Sequence, residues 1–262
     1  MGFIASAIDM AERAPLPDSL TRAGIEFLVS RTGRRLRRVP GAEEARFAAS
    51  MADMPIAVHA EAANAQHYEV PTALFQRTLG PRLKYSCCLY LNDGADLAEA
   101  EEAALAETCA HAALADGQDI LELGCGWGSL TLWMAEHFPC AKILAISNSR
   151  TQRARILEQA RQRGLANVAV ETCDMNDFST DRSFDRIVSV EMFEHMSNWR
   201  ALLSRARACL KVDGRLFPHV FTHRARSYRF DRSDSADWIA RHFFTGGVMP
   251  AHDLPGRFPD LF

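Results

Sequence analysis

The stretch Leu121-Glu122-Leu123-Gly124-Cys125-Gly126-Trp127-Gly128 limits the fold more than any other part of the chain. It follows an apolar run of strand length, residues 120–123, and leads into helical periodicity over residues 130–138. That setting is what makes a glycine-rich turn informative. Gly124 permits a tight turn, Gly126 lets the backbone approach a ligand, and Gly128 allows a helix to pack closely on a strand. The same rhythm continues downstream. Strand-length runs at 143–146, 168–172, 186–190 and 215–221 alternate with helical patterns at 151–163 and 199–210, and Gly164 and Asp213-Gly214 read as helix stops. Strands alternating with helices predict βαβ units, hence an α/β, Rossmann-like fold whose mostly parallel sheet carries helices on both faces.

The spacing within the turn separates two kinds of ligand. A dinucleotide loop reads GxGxxG, which needs glycine at 129, where this chain has Ser129. Glu122, two residues before the first glycine, would repel a pyrophosphate but suits the α-ammonium of a methionine-derived cofactor. Turns of this kind also occur without any ligand. After the second strand no acid is available for a ribose diol, so Asn148 and Gln152 are the candidates there. After the third, Asp174 is placed either to accept from an adenine amine, with Met175 packed on the ring, or to cap a turn.

Residues 1–84 read instead as a helical N-terminal cap on the substrate side, punctuated by Pro15, Pro17, Pro40, Pro55, Pro71 and Pro81, ahead of a cofactor-binding core over 85–262. Five arginines within Arg31–Arg38 form either a solvated basic loop or a patch for anionic lipid headgroups, a peripheral membrane contact. The net charge of −3 gives no electrostatic case for nucleic acid. No apolar run approaches the roughly 18 residues that cross a bilayer. The N-terminus lacks the basic segment of a signal peptide, although Met1-Gly2 with Ser6 fits a loose myristoylation pattern. Seven cysteines with no CxxC pair suggest reduced thiols in a cytoplasmic protein.

The fourth strand runs into Val190-Glu191-Met192-Phe193-Glu194-His195, at the sheet end where α/β proteins bind ligands. If a helical turn begins there, Glu191, Glu194 and His195 share one face at i, i+3 and i+4. Crowded carboxylates and an imidazole shift one another's pKa, which suits one of them to general-base work near neutral pH. Zincin motifs require two histidines, and Glu191 stands where the first would be; one histidine and two acids could still hold a metal, but none is assigned. A solvated acidic turn is the plain alternative.

Four segments in order, Tyr85-Ser86-Cys87-Cys88-Leu89-Tyr90, the 122–128 turn, 190–195 and Phe244-Thr245-Gly246-Gly247-Val248-Met249-Pro250, together resemble the cyclopropane-fatty-acid synthase family of S-adenosylmethionine (SAM)-dependent methyltransferases. Within it the chain is most similar to the coclaurine N-methyltransferase-like branch, on the strength of the double cysteine and the Phe-Thr-Gly-Gly-x-Met-Pro segment. The resemblance implies that Tyr85 and Ser86 close over the methionine end of SAM, and that Gly124, Gly126, Asn148, Gln152, Asp174 and Met175 line the rest. It implies that Glu194 and His195, with Glu191 beside them, orient a substrate amine and assist its deprotonation. In the cyclopropane branch a bicarbonate ion is held by residues matching Cys87, Glu194 and His219, plus a tyrosine further downstream; His219 reads equally as a core histidine.

Methyl transfer to a small amine is thus the leading expectation. Methylene transfer to unsaturated phospholipid chains is the alternative, and SAM binding without catalysis a third. A nicotinamide-dependent oxidoreductase is disfavoured by Ser129. The resemblance also implies a further helix and two more strands beyond Pro250, whereas the chain closes on Ala251–Phe262, so the core is expected to be incomplete at its C-terminus. That leaves the fifth strand as an edge and leads to an expectation of impaired stability or activity.

Overall fold

A computed structural model describes residues 3–14, 16–37, 42–58 and 72–262; Met1, Gly2, Pro15, Arg38, Pro40 and Pro71 lie outside the described residues. Among the described residues of the N-terminal part lie α1 (Phe3–Arg13), α2 (Asp18–Leu36), α3 (Ala42–Ser50) and the short α4 (Thr72–Thr78), with a 3-10 turn at Met51–Asp53. α5 (Leu97–His111) opens on a reciprocal cap, in which the Asp96 carboxylate accepts from Glu99 N and the Glu99 side chain accepts from Asp96 N.

From there the expected alternation is realised: β1 (Asp119–Leu123), α6 (Ser129–His137), β2 (Lys142–Ser147), α7 (Arg150–Gln162), β3 (Val168–Thr172), β4 (Phe184–Val190), α8 (Trp199–Ala208) and β5 (Leu210–His219). The five strands form one sheet in the order β3-β2-β1-β4-β5, every pair parallel. A short antiparallel pair, β6 (Tyr228–Arg229) with β7 (Val248–Met249), flanks α9 (Trp238–His242). Alternate residues of each central strand serve opposite layers. Leu121, Leu123, Leu144 and Ile146 pack with Trp199, Leu202 and Leu203 of α8, whereas Ile120 and Ile143 pack with Leu105 of α5 and Met134 of α6. Both faces are therefore covered, as a buried parallel sheet requires.

Gly164, at φ +70, closes α7 as expected, with Leu165 N reaching Ala160 O at 2.9 Å. Asp213-Gly214 does something different. α8 already ends at Cys209, and the strand begins at Leu210; Asp213 (φ +64) and Gly214 form a bulge inside β5, where the register jumps from Phe184↔Leu210 to Arg186↔Arg215. A side chain at Gly214 would come within 2.9 Å of both Lys211 O and Phe184 O, so the glycine permits the bulge's close approach to β4.

Among the described residues β5 is the sheet's edge, paired on one side only. The segment after Pro250 turns once in 3-10 form at Pro255–Arg257 and buries Leu254 and Phe258 in the α8 layer. Arg200 pairs with Asp260 at 2.6 Å across it. Among the described residues no helix is long and apolar enough to cross a membrane. Arg31, Arg34 and Arg35 sit on α2, which buries none of its residues.

Candidate functional site

The carboxyl ends of β1 to β4 open into a cleft of about 340 Å³. At its floor, Gly124 N and Cys125 N both donate to Ile146 O at 3.0 Å, tying the glycine turn to β2. Gly124 has φ +81, and a side chain there would strike Met192. Gly126 (φ +52) has open space where a side chain would be, so its backbone faces the cleft bare. Gly128 (φ +83) does not line the cleft; it touches Ile156, which is the close helix packing expected of it.

Glu122 lines the cleft from β1 and is sealed from solvent. It accepts a hydrogen bond from Thr131 Oγ1 of α6, yet burial outweighs that bond and pushes the carboxyl up to about 7. Beyond β2, Ser149 caps α7 by accepting from Gln152 N, and Ser147 Oγ donates to Gln152 Oε1 at 2.6 Å. Among the described residues the fully buried Gln152 Nε2 then has no acceptor, and neither has Trp127 Nε1; both residues line the cleft. Two stranded donors in a concave site mark the place of a polar ligand. Asn148 joins them. Asp174 acts as a turn cap, its Oδ1 accepting from Asn176 N at 2.7 Å, and the residue also lines the cleft beside Met175.

Tyr85 and Ser86 form the opposite wall. Phe75 packs edge-on to Tyr85 at 5.3 Å and against Trp127 at 4.9 Å, linking this loop to the glycine turn. Two residues without a motif fix the loop's position. The carboxylate of Glu101, fully buried in α5, accepts from Arg82 N at 2.8 Å and Lys84 N at 2.9 Å. Lys84 then donates from Nζ to Ser86 Oγ and to Cys87 O. Burial lowers the Lys84 pKa although Cys87, Cys88, Glu191 and Glu101 pull the other way.

After β4 the expected single helical face is not formed. Glu191 takes a left-handed backbone (φ +49), and only a 3-10 turn, Phe193–His195, follows. A 3-10 turn spreads successive side chains about 120° apart, so Glu194 and His195 diverge. Glu191 and His195 line the cleft, whereas Glu194 is fully buried beneath it. Glu194 Oε1 accepts from Phe221 N at 2.8 Å, Oε2 has no donor among the described residues, and burial raises the carboxyl to about 7. The trio implied for bicarbonate is likewise rearranged. Cys87 and His219 come together with Glu191, one ligating atom of each within 4.8 Å of the others, while Glu194 turns to Phe221.

Sequence reasoning also missed the aromatic wall. Phe221, Phe243 and Phe244 line the cleft, and His195 stacks on Phe244 at 5.0 Å. The Gly-Gly pair that follows explains its own motif: a side chain at Gly246 would strike Val58 O, and one at Gly247 would strike Glu194 O. The wall can lie against the Glu194 turn only because both positions are bare.

The sequence signature of the mycolic acid cyclopropane synthetase family matches residues 57–254. (S)-coclaurine N-methyltransferase of Thalictrum flavum subsp. glaucum is 38% identical over 200 residues, covering 76% of this chain and 55% of that protein. Cyclopropane-fatty-acyl-phospholipid synthase of Escherichia coli K12 is 30% identical over 188 residues, covering 71% of this chain and 46% of the synthase. The chain thus spans about half the length of the curated relatives it matches. Among solved structures, coclaurine N-methyltransferase bound to N-methylheliamine and S-adenosylhomocysteine superposes with a TM-score of 0.83 at 33% identity, over 90% of this chain and 71% of that one. The cyclopropane synthase MmaA2 from Mycobacterium tuberculosis, at 23% identity and a TM-score of 0.66 over 78% of this chain and 75% of that one, shares the fold.

Proposed function

The chain belongs to the mycolic acid cyclopropane synthetase family, and from that premise we propose that it is a SAM-dependent methyltransferase whose acceptor is a small amine. The observation that carries the acceptor class is the likeness, over 90% of this chain, to coclaurine N-methyltransferase bound to N-methylheliamine and S-adenosylhomocysteine.

The cleft's residues fit SAM on their own terms. Gln152 Nε2 and Trp127 Nε1 are buried donors in need of acceptors, and Gly126 leaves its backbone bare. Glu122, Tyr85 and Ser86 would hold the methionine end, Gly124 and Gly126 the turn beneath it, Asn148 and Gln152 the ribose, and Asp174 and Met175 the adenine. When bound, SAM supplies a sulfonium-activated methyl group. An ammonium acceptor has no lone pair, so it must first be deprotonated. Glu191 and His195 face the cleft and orient the amine against the wall of Phe221 and Phe244. Glu194, held at Oε1 and open at Oε2, is the carboxyl able to take up a proton near neutrality. The apolar wall excludes water and presents an alignable face, which is most of what in-line transfer requires.

The test is incubation with methyl-labelled SAM against a panel of primary to tertiary amines and, separately, vesicles of unsaturated phospholipid. Label is expected in amines; label found only in lipid would overturn the amine reading in favour of the synthase-like one. Glu194→Gln is expected to lower kcat by about 10²–10⁴-fold while leaving SAM affinity nearly unchanged. Equal losses in both would make Glu194 part of the cofactor site.

A further inference from the structure

Cys87, Glu191 and His219 are delivered by three separate parts of the chain: the loop that follows α4, the residue just after β4, and the last residue of β5. One ligating atom of each nevertheless lies within 4.8 Å of the other two. A thiolate, a carboxylate and an imidazole form a mixed set that suits zinc-like ions and offers little to magnesium or calcium, which favour all-oxygen shells. We infer that these three side chains form a binding site for one divalent cation of the zinc class, at the acceptor end of the cleft, with its fourth position open to water.

The backbone prepares the site. Glu191 N donates to His219 O at 2.8 Å, and its left-handed φ of +49 turns it out of the strand, so two of the ligands rise from a fixed base. The third is steadied through Cys87 O, which accepts from Lys84 Nζ at 2.7 Å. Ligand atoms around tetrahedral zinc stand about 3.5 Å apart, so side-chain rotation of about an ångström closes the set. Binding takes the proton from the Cys87 thiol and releases it to solvent; the thiolate, the Glu191 carboxylate and neutral His219 then balance the dication. Because Glu191 lines the cleft, occupation withdraws it from the acceptor. Zinc is therefore an inhibitor at this site, with no part in methyl transfer.

Metal binding is measurable without SAM or acceptor, so it stands or falls separately from the methyltransferase reading. The full chain, stripped with a chelator, is titrated with cobalt(II) while the thiolate-to-cobalt charge-transfer band and the tetrahedral d–d bands are followed; zinc is then added in competition. One equivalent of cobalt, displaced by zinc, is expected. Cys87→Ser should abolish the charge-transfer band, His219→Gln should weaken binding by about tenfold or more, and Cys88→Ser should leave it unchanged. Circular dichroism establishes that each variant is folded, which the exposure of Cys87 favours. A wild-type chain without the band, or a band that survives in folded Cys87→Ser, overturns the assignment.

Discussion

Glu122 and Glu194 are both sealed from water, and burial raises each carboxyl from an ordinary 4.5 to about 7. Between those two values the folded chain keeps a proton at each site that the unfolded chain has already released. Stability therefore falls as pH rises from about 4.5 through about 7, and is level above that. Each buried carboxylate costs on the order of 3 kcal/mol above neutrality. The ligand-free chain is expected to melt lower at about pH 8 than at about pH 5.5, and Glu122→Gln should flatten that slope; a pH-independent melting temperature would contradict it. With SAM bound as proposed, the sign at Glu122 changes. An ammonium beside the carboxyl favours its ionised form, so affinity should climb with pH through about 7, and calorimetry of Glu122→Gln should show no such climb. At Glu194 the same shift predicts a rate limb rising through about pH 7 that Glu194→Gln lacks. Glu122 was legible because an acid at a strand end just before the glycines has one natural direction. Glu194 was legible as a residue but not as a position, because nothing in Phe193-Glu194-His195 reveals the left-handed Glu191 that turns it beneath the cleft. Lys84 was invisible, since its role depends on Glu101, a buried acid 17 residues away.

Among the elements, the glycine turn separates two roles that share one conformation. Gly126 and Gly128 both have positive φ, but only Gly128 meets an obstacle, Ile156 Cγ1, 2.5 Å from where a side chain would begin. Gly128→Ala should therefore cost about 2–3 kcal/mol of stability by combining strain with overpacking. Ile156→Ala should recover part of that loss, so the pair is non-additive in urea unfolding. Gly126→Ala meets no atom and should cost about 1 kcal/mol for its backbone alone. Its methyl group enters the cleft, so SAM affinity should drop by about tenfold or more, near 1.4 kcal/mol. The opposite pattern, with Gly126 controlling stability and Gly128 controlling affinity, would reverse the assignment. The period of the apolar runs made the five strands and their helices readable, because buried parallel strands are short, continuous and separated by helical spacing. The Asp213-Gly214 bulge was misread as a helix stop, since a left-handed pair serves either purpose and only pairing with β4 distinguishes them.

The molecule as a whole is stitched together by contacts that leave no local signature. Residues 51–58 belong to the helical N-terminal part, yet Met51, Ile56 and Ala57 sit in the same core cluster as Leu121, Ile187 and Trp199. Ala57 pairs with Met196, and Ala57 and Val58 line the cleft. Two asparagines hold this stretch. Asn176 accepts from Ala57 N at 3.1 Å and donates to Ala57 O at 3.0 Å. Asn198 donates to Met54 O at 2.7 Å while its own oxygen caps α8. A sequence separation of 119 residues between Asn176 and Ala57 hides such a partnership from any periodicity. Removing either amide strands part-buried backbone groups, so Asn176→Ala and Asn198→Ala should each cost about 1–3 kcal/mol. If residues 51–58 detach as one unit, the first substitution already frees what the second would release. The double variant should then cost less than the sum by about 0.5 kcal/mol or more, in equilibrium urea unfolding, whereas distant independent sites add. Strict additivity would show two separate anchors. The single variants should also raise KM for the acceptor, because a loosened Ala57-Val58 edge widens the cleft between the aromatic wall and the Glu194 turn.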